Sequence, residues 1–453
     1  MVQLWYIFTR GVTQMKSLFV PLREEGLTTL KIRYDFKTGD IRFFAAKEWD
    51  ANFDFSRYNK DFHVGGIFTK DAKYLNTKQV YQLFEKYGLS DYLNEVLDLI
   101  KAGKHIGIQC YYYDKYDIKY MMHEHSRKLG LLNKSHAIMA GGIRRHHEDE
   151  EEIDVIVDGL NLGRAMSFKN VAGKLPFGGC KATVQMAPLD IDNMEIMGFL
   201  AFAMDSCRNM TGPDMNFPTQ MADVMRRENF SAQFTGGPEA KTGETGKPTA
   251  YGVYLTLKQA VKFKEGAESL SGKTAALIGL GAVGWQMGEY LLKENVKLYV
   301  ADINADTVNA FIKKHPGVTS VELSGAYEME ADIICPCASG GVFDDANIPK
   351  LKCSYIWGAA NNQLKAHSQD EEIRLANQIA ARGILFQTEW WHNTAGVICG
   401  AEEYLYDGTP ESLAEKIEKI MPANTWNNLN QAKKLGITPT ECAYRTCEEI
   451  IYG

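Results

Sequence analysis

The segment LNLGRAMSFKNVAGKLPFGGCK, Leu160 to Lys181, sets two lysines, Lys169 and Lys181, among glycines. No Asp or Glu occurs from Gly159 to Leu189, while Arg164, Lys169, Lys174 and Lys181 are all cationic. Such a window serves either as a pocket for an anionic substrate or as a solvated basic face, and charge runs are usually surface. A lysine buried beside a second cation loses its proton readily, which turns a point charge into an acid and base. Acid/base chemistry on an anion is therefore open to this pair, provided that the rest of the chain encloses it.

A second chemical signature lies downstream. The apolar run TAALI leads into Gly279-Leu280-Gly281-Ala282-Val283-Gly284, and a helix follows from about Trp285. In such a turn the first glycine permits the tight bend, the second lets the backbone approach a pyrophosphate, and the third packs helix on strand. Asp302 stands 23 residues after Gly279, at the end of KLYVAD. An acid there accepts hydrogen bonds from ribose hydroxyls and repels a 2'-phosphate, so NAD is favoured over NADP.

These residues need a scaffold, and the bulk of the chain bounds it. With 453 residues, 45% hydrophobic and 24% charged, the chain exceeds what one core usually supports, and two or three domains are expected. A net charge of -7 offers no global basic field for nucleic acid or an anionic membrane, so a small substrate is expected. Nine cysteines stand singly apart from Cys335 and Cys337, without zinc-type pairs or a secreted framework, which fits a reducing compartment. MVQLWYIFTRGV at the N-terminus lacks the basic flank and apolar length of a signal peptide. No apolar run approaches a membrane span, and a cytoplasmic protein is expected.

Along the chain, LTTLKIRYDFKTGDIRFFAAKEW alternates as strands do around a turn at Lys37 to Asp40, and helical spacing marks Thr77 to Tyr87 and Ser90 to Ala102. This region is expected to pack on the catalytic domain or on another subunit. His146, His147 and the acids Glu148 to Glu152 suggest a metal cluster, but adjacent histidines diverge on any regular element, so a solvated turn is favoured and no metal is assigned; His123 and His125 are treated likewise. FTGGPEAKTGETG, between Gln233 and Lys247, reads as an interdomain connection or active-site rim. After it, TAALIGL, KLYVAD, ADIICP, SYIWGAA and GILFQ alternate with helical or polar sequence, which predicts a doubly wound parallel sheet.

Several blocks, in order, resemble the Glu/Leu/Phe/Val amino-acid dehydrogenase superfamily across roughly residues 136 to 450: AGGIRRH from Ala140, MSFKN from Met166, GGCK from Gly178, TGPDMNFPTQMADVM from Thr211, KPTAYGVY from Lys247, then PCASGGVFDD, GAANNQL and HNTAGVICGAEEYL. The first 130 or so residues lie outside the resemblance. It implies an α/β protein of two domains with a cleft between them: an N-terminal substrate-binding and oligomerisation domain over 1–243, and a Rossmann NAD-binding domain over 244–429. A C-terminal helix at about 430–453 is a candidate to return to the first domain.

Carried onto this chain, the resemblance implies that Lys169 holds the substrate α-carboxylate, that Lys181 is the low-pKa acid/base lysine, and that Asp214 moves protons to and from the nitrogen. Gly141 and Gly142 would border the substrate. Thr249, Ala338, Ser339, Asn361 and Asn393 would join Gly279, Gly281, Ala282, Val283, Gly284 and Asp302 around the cofactor. Oxidative deamination needs such parts: a hydride acceptor, a cation to polarise the carbinolamine oxygen, and a base for the amine protons. By the same resemblance the protein is a homo-oligomer of six or eight subunits that takes an amino acid, 2-oxo acid and ammonia.

The side-chain pocket is read by what is missing. Glutamate enzymes of this superfamily carry a lysine before Gly-Gly-x-Arg and a serine seven residues after the asparagine of NxxG; here these positions are Ala140 and Gly400. A buried carboxylate would go uncompensated, which argues against glutamate. Branched-chain enzymes carry larger groups at these two positions and an alanine where this chain has Gly212. With Met166 and Val397 as apolar walls, the smaller residues predict a larger apolar or aromatic side chain. Trp390, Trp391 and Phe217 could refill that space, and packing is the simpler role for the tryptophans. Cys180 is either a redox-sensitive thiol or a buried small hydrophobe, the latter favoured. Rival readings are a catalytically silent NAD-binding homologue and a same-fold enzyme that couples 2-oxo acids.

Overall fold

The computed structural model describes residues 16–50, 52–61, 66–127, 137–366 and 368–453; the N-terminal segment MVQLWYIFTRGV lies outside them. Two sheets organise the chain. The first is mixed and nine-stranded, from β1 (Thr29–Tyr34), β2 (Ile41–Trp49), β3 (Phe68–Leu75), β4 (Gly107–Tyr113), β5 (Ile118–Glu124), β6 (Met139–Ala140), β7 (Ile143–His146), β8 (Gly178–Gln185) and β9 (Asn209–Met210), in the order β3-β2-β1-β4-β5-β8-β6-β9 with β7 also on β8.

The region before residue 130 is thus built into the sheet: β5 pairs antiparallel with β8, setting His123 opposite Lys181. Period-two alternation in β4 sends Tyr111 and Tyr113 to one core, with Trp49, Phe199 and Phe202, and Ile108, Cys110 and Tyr112 to the other, with Val96 and Leu160. Two-sided burial makes it a central layer, with the helix Met194–Cys207 on one face and the helices Thr77–Lys86, Ser90–Ala102 and Glu152–Ala172 on the other. Both helices expected between 77 and 102 are present, as is the β1–β2 turn, closed by Gly39 N–H to the Asp35 carbonyl at 2.7 Å.

As far as Ala172 the lysine window is the last part of the helix Glu152–Ala172. Gly159 and Gly163 let this helix lie flat on the sheet, because a Cβ on them would meet the His123 ring at 2.1 Å and the His123 carbonyl at 2.9 Å.

The second sheet is wholly parallel: β10 (Thr274–Ile278), β11 (Lys297–Ala301), β12 (Thr319–Ser320), β13 (Ile333–Pro336), β14 (Tyr355–Ile356) and β15 (Leu385–Phe386), in the order β12-β11-β10-β13-β14-β15. Each of the five runs expected to form this sheet supplies a strand, with β12 added at the edge and β14 and β15 shorter than their runs. Helix Gly246–Glu265 leads into it, and helix Pro410–Leu435 packs on that helix where Gly252 allows close approach, a Cβ there lying 2.8 Å from that of Ala395 and 3.1 Å from Met421 Cε.

A final helix, Pro439–Tyr452, crosses back to the first sheet's layer. Its Tyr452 hydroxyl meets His125 Nε2 at 2.7 Å, and Glu448 pairs with Arg164 at 3.6 Å. No helix among the described residues is long and apolar enough to cross a membrane.

Candidate active site

A cleft of about 570 Å³ opens between the two sheets. Its floor is made where strand pairing along β8 is interrupted. β6 and β7 run beside β8 in turn, and Gly141-Gly142 forms the break between them. Alanine at 141 would put a Cβ 1.8 Å from the Cys180 carbonyl oxygen; at 142 it would lie 3.1 Å from Lys181 Nζ. The glycines therefore keep clear the space into which Lys181 projects.

Lys181, 5% exposed on β8, donates a hydrogen bond to Asp214 Oδ2. Asp214 follows β9 and Pro213, and its backbone N–H is fixed by the Ile143 carbonyl at 2.9 Å. Arg144 on β7, which sequence reasoning passed over, donates to the same Asp214 oxygen at 3.1 Å and to both oxygens of Asp158 at 3.0 and 3.1 Å. Burial would raise the Asp214 carboxyl, but Lys181 and Arg144 overcome it and hold the group well below the usual carboxylate range. His146 continues the chain, its Nε2 3.3 Å from Asp158 and its Nδ1 2.7 Å from Glu150. The His and acid run is thus partly inward and tied to the site through Arg144.

Lys169, in the last turn of helix Glu152–Ala172, donates to Asn361 Oδ1 at 2.9 Å, and Asn393 donates to the same oxygen at 2.9 Å. Burial lowers Lys169 to about 8, with Glu389 opposing and Lys181 adding to the shift. Lys181 is set directly against the Asp214 carboxylate, with Lys169 as the second cation of the same cleft. Of the four cations in the window, only Lys169 and Lys181 line the cleft. Arg164 instead stacks over Phe168, 4.9 Å from the ring centroid.

Of the predicted residues, Gly141, Gly142, Met166, Lys169, Lys181, Gly212, Asp214, Thr249, Ala282, Val283, Asn361, Asn393, Val397 and Gly400 meet at this cleft. Ala140 is a correction: it is fully buried behind the wall, packed with Phe177, Met210 and Ala401. The room expected from small residues is also reduced by Thr235. A Cβ on Gly400 would stand 2.9 Å from Thr235 Oγ1, and one on Gly212 3.0 Å from the Thr235 carbonyl oxygen. Both glycines accommodate Thr235 rather than leave a void. Trp390 lines the cleft while packing on Phe168 and Tyr444, both at 5.1 Å; Trp391, in the same cluster, and Phe217, in the core of the first sheet, do not line it. Cys180 is fully buried and its thiol is pushed up by burial, so it is the packed hydrophobe rather than a reactive thiol.

The nucleotide side borders the cleft at Ala282 and Val283. Gly279 has φ +101°, and a Cβ on it would lie 2.7 Å from Ala338 N; one on Gly284 would strike the Gly279 carbonyl at 1.9 Å. Gly281, by contrast, faces open space at the N-terminus of helix Ala282–Lys293. Such a cradle fits a pyrophosphate. Ala338 and Ser339 are exposed on its rim. Just past β11, Asp302 accepts the Leu280 N–H at 2.6 Å and the Asn304 N–H at 2.8 Å, which ties the glycine turn to the end of β11. Asn393 Oδ1, buried in the cleft wall, has no hydrogen-bond partner among the described residues.

The model of the Glu/Leu/Phe/Val dehydrogenase dimerisation domain matches residues 132–229. A phenylalanine dehydrogenase of Lysinibacillus sphaericus is 35% identical over 308 residues, 66% of this chain and 78% of that one. A leucine dehydrogenase of Bacillus subtilis is 33% identical over 357 residues, 75% and 93% of the two chains. The crystal structure of an L-tryptophan dehydrogenase from Nostoc punctiforme superimposes with a TM-score of 0.65 at 25% identity, covering 79% of this chain and 98% of that one.

Proposed function

The chain belongs to the Glu/Leu/Phe/Val dehydrogenase family, and from that premise we propose that it catalyses the reversible NAD-dependent oxidative deamination of an apolar or aromatic L-amino acid to its 2-oxo acid and ammonia. The observation that carries this reading is the pair made by the buried Lys181 with the part-exposed Asp214, with Lys169 in the same cleft.

Lys169 presents an ammonium for the substrate α-carboxylate, which takes over the contact now made by Asn361. Asp214, held ionised, accepts a proton from the α-ammonium so that the nitrogen lone pair is free. Lys181, in contact with Asp214, hydrogen-bonds the water that attacks the iminium carbon and takes up the proton it releases; as the carbinolamine collapses, Asp214 returns its proton to the departing nitrogen and the hydroxyl proton leaves through the Lys181–Asp214 pair. Gly281, the N-terminus of helix Ala282–Lys293 and Asp302 would hold NAD, with Thr249 and Asn393 toward its nicotinamide end. When bound, the nicotinamide supplies the acceptor for the α-hydrogen and its electron pair.

The side-chain preference rests on charge. The cations lining the cleft are Arg144, Lys169 and Lys181, and each has a task or partner, so a glutamate γ-carboxylate would be buried unpaired. Met166, Met210, Val397 and Trp390 offer apolar walls, in keeping with relatives named for phenylalanine, leucine and tryptophan. We assign 1–243 to a substrate and oligomerisation domain and 244–429 to the NAD-binding domain, with helix Pro439–Tyr452 returning to the former. A homo-oligomer fits the exposed edge strand β3, on which Phe68 and Tyr74 are 45% and 54% exposed.

NADH formation with a panel of Phe, Tyr, Trp, Leu, Val and Glu tests the proposal. Turnover of apolar substrates, abolished by Lys181→Ala while NAD binding persists, is expected. Preference for Glu, or undiminished turnover by the variant, refutes it.

A further inference from the structure

Glu389 is an acid in the cleft that the reaction as drawn does not use. It opens the short helix Glu389–His392, is 2% exposed, and lines the same cleft as Lys169. Its Oε1 accepts the Asn362 N–H at 2.7 Å, and the preceding residue, Asn361, accepts from Lys169. Carboxylate and ammonium are thus fastened to consecutive residues of one turn. The direct partner of Lys169 is a neutral amide, while the Asp214 carboxylate is taken up by Lys181 and Arg144. An ammonium in a dehydrated cleft needs a counter-charge nearby or it gives up its proton.

We propose that Glu389 is a positioning residue for Lys169: its fixed carboxylate keeps that lysine an ammonium in the cleft, ready for the carboxylate of an incoming substrate. This inference rests on the assignment of Lys169 to the substrate carboxylate made above. The groups around Glu389 agree with it. Behind it, on helix Gln369–Ala381, Glu372 accepts from Thr388 Oγ1 at 2.9 Å and from the Tyr444 hydroxyl of the last helix at 2.6 Å. Burial and Glu372 push the Glu389 carboxyl up to about 7, with Lys169 pulling the other way. Arg164, from the Lys169 helix, acts on Glu372. On its own helix, His392 is lowered to about 4 by burial and so adds no charge near neutrality. Lys169 is therefore the cation that Glu389 serves, and Glu389 is the largest influence opposing the desolvation of Lys169.

Glu389→Gln keeps an oxygen for the Asn362 N–H and removes the charge. Two readouts on the full-length protein test the proposal. One is the pH dependence of Lys169 modification by an amine-reactive ester, located by mass spectrometry; the other is the pH profile of KM for the best amino acid. The labelling midpoint is expected to fall by about one pH unit, from about 8 to about 7, which makes labelling at pH 7 about fivefold faster. The alkaline rise of KM is expected to move by the same amount, and Glu389→Asp to return both toward the wild type. A labelling midpoint unmoved in E389Q overturns the proposal. A shifted midpoint with an unmoved KM profile upholds the role of Glu389 and removes Lys169 from the substrate site, a failure of the functional reading alone.

Discussion

Gly142→Ala is a small change aimed at the reacting groups. The added Cβ would lie 3.1 Å from Lys181 Nζ, 3.2 Å from the Gly212 carbonyl oxygen and 3.3 Å from Asp214 Cβ, whereas non-bonded heavy atoms rest comfortably at about 3.5 to 4.0 Å. The Gly212 carbonyl is backbone and gives little, so the adjustment falls on the lysine end and on Asp214, by a few tenths of an ångström. Misplacing reacting groups by about 1 Å costs about 100-fold in rate, so a shift of roughly half that predicts a loss of about tenfold in kcat. Overpacking of this kind destabilises a fold by about 1 kcal/mol, too little to unfold the chain. Steady-state kinetics with the best amino acid, thermal unfolding and an NADH titration separate the effects: kcat should fall about tenfold while NADH affinity and folding are nearly retained. Full kcat in a well-folded variant would show that Gly142 does not guard the pair. A parallel loss of NADH affinity would place the damage outside it.

Two further outcomes follow from the same geometry. Thr235→Ala removes the side chain that occupies the space beside Gly400, and at about 1 to 3 kcal/mol per methylene-sized change it should raise the kcat/KM ratio of phenylalanine to valine by about tenfold; an unmoved ratio would mean that Thr235 does not limit the pocket. Asp214 has a folded-state pKa below its unfolded value, so its contribution to stability is complete above the unfolded carboxyl value of about 4 and is lost as pH falls through the folded one. Urea unfolding of the wild type and Asp214→Asn should therefore differ most at neutral pH and converge below about pH 4, and a gap constant with pH would contradict the ion-pair account.

What was legible in the sequence was chemistry carried by short contiguous blocks. The glycine turn could be read because strand, turn and helix follow one another within a few residues, and Lys169, Lys181 and Asp214 because each sits in a block with its own neighbours. What escaped was contact between blocks. Arg144 stands beside the glycine pair, but its meeting with Asp158 and Asp214 depends on how β7 lies against a helix and a loop. The run that holds Thr235 reads as an interdomain connection or active-site rim, and nothing in residue size reveals that Thr235 fills the space beside Gly400. The partner of each lysine was likewise invisible: an amide for one and a carboxylate for the other, with the counter-charge at Glu389 far along the chain. Alternation revealed strands before residue 130, but not that they join the sheet that carries Lys181, because pairing partners leave no local mark.

The helix Pro439–Tyr452 imposes an order of events during synthesis. It covers Phe168 and Ala172 with Ala443, Tyr444, Cys447 and Ile451, on the helix whose last turn bears Lys169. That surface leaves the ribosome long before its cover does, since the whole nucleotide-binding sheet is translated in between. Domains generally fold as units in the order they are made, yet the cover for this apolar surface is encoded after the whole second sheet. Nascent chains stalled within residues 244–438 would therefore hold the substrate side incompletely covered, and these are the intermediates on which a chaperone would act.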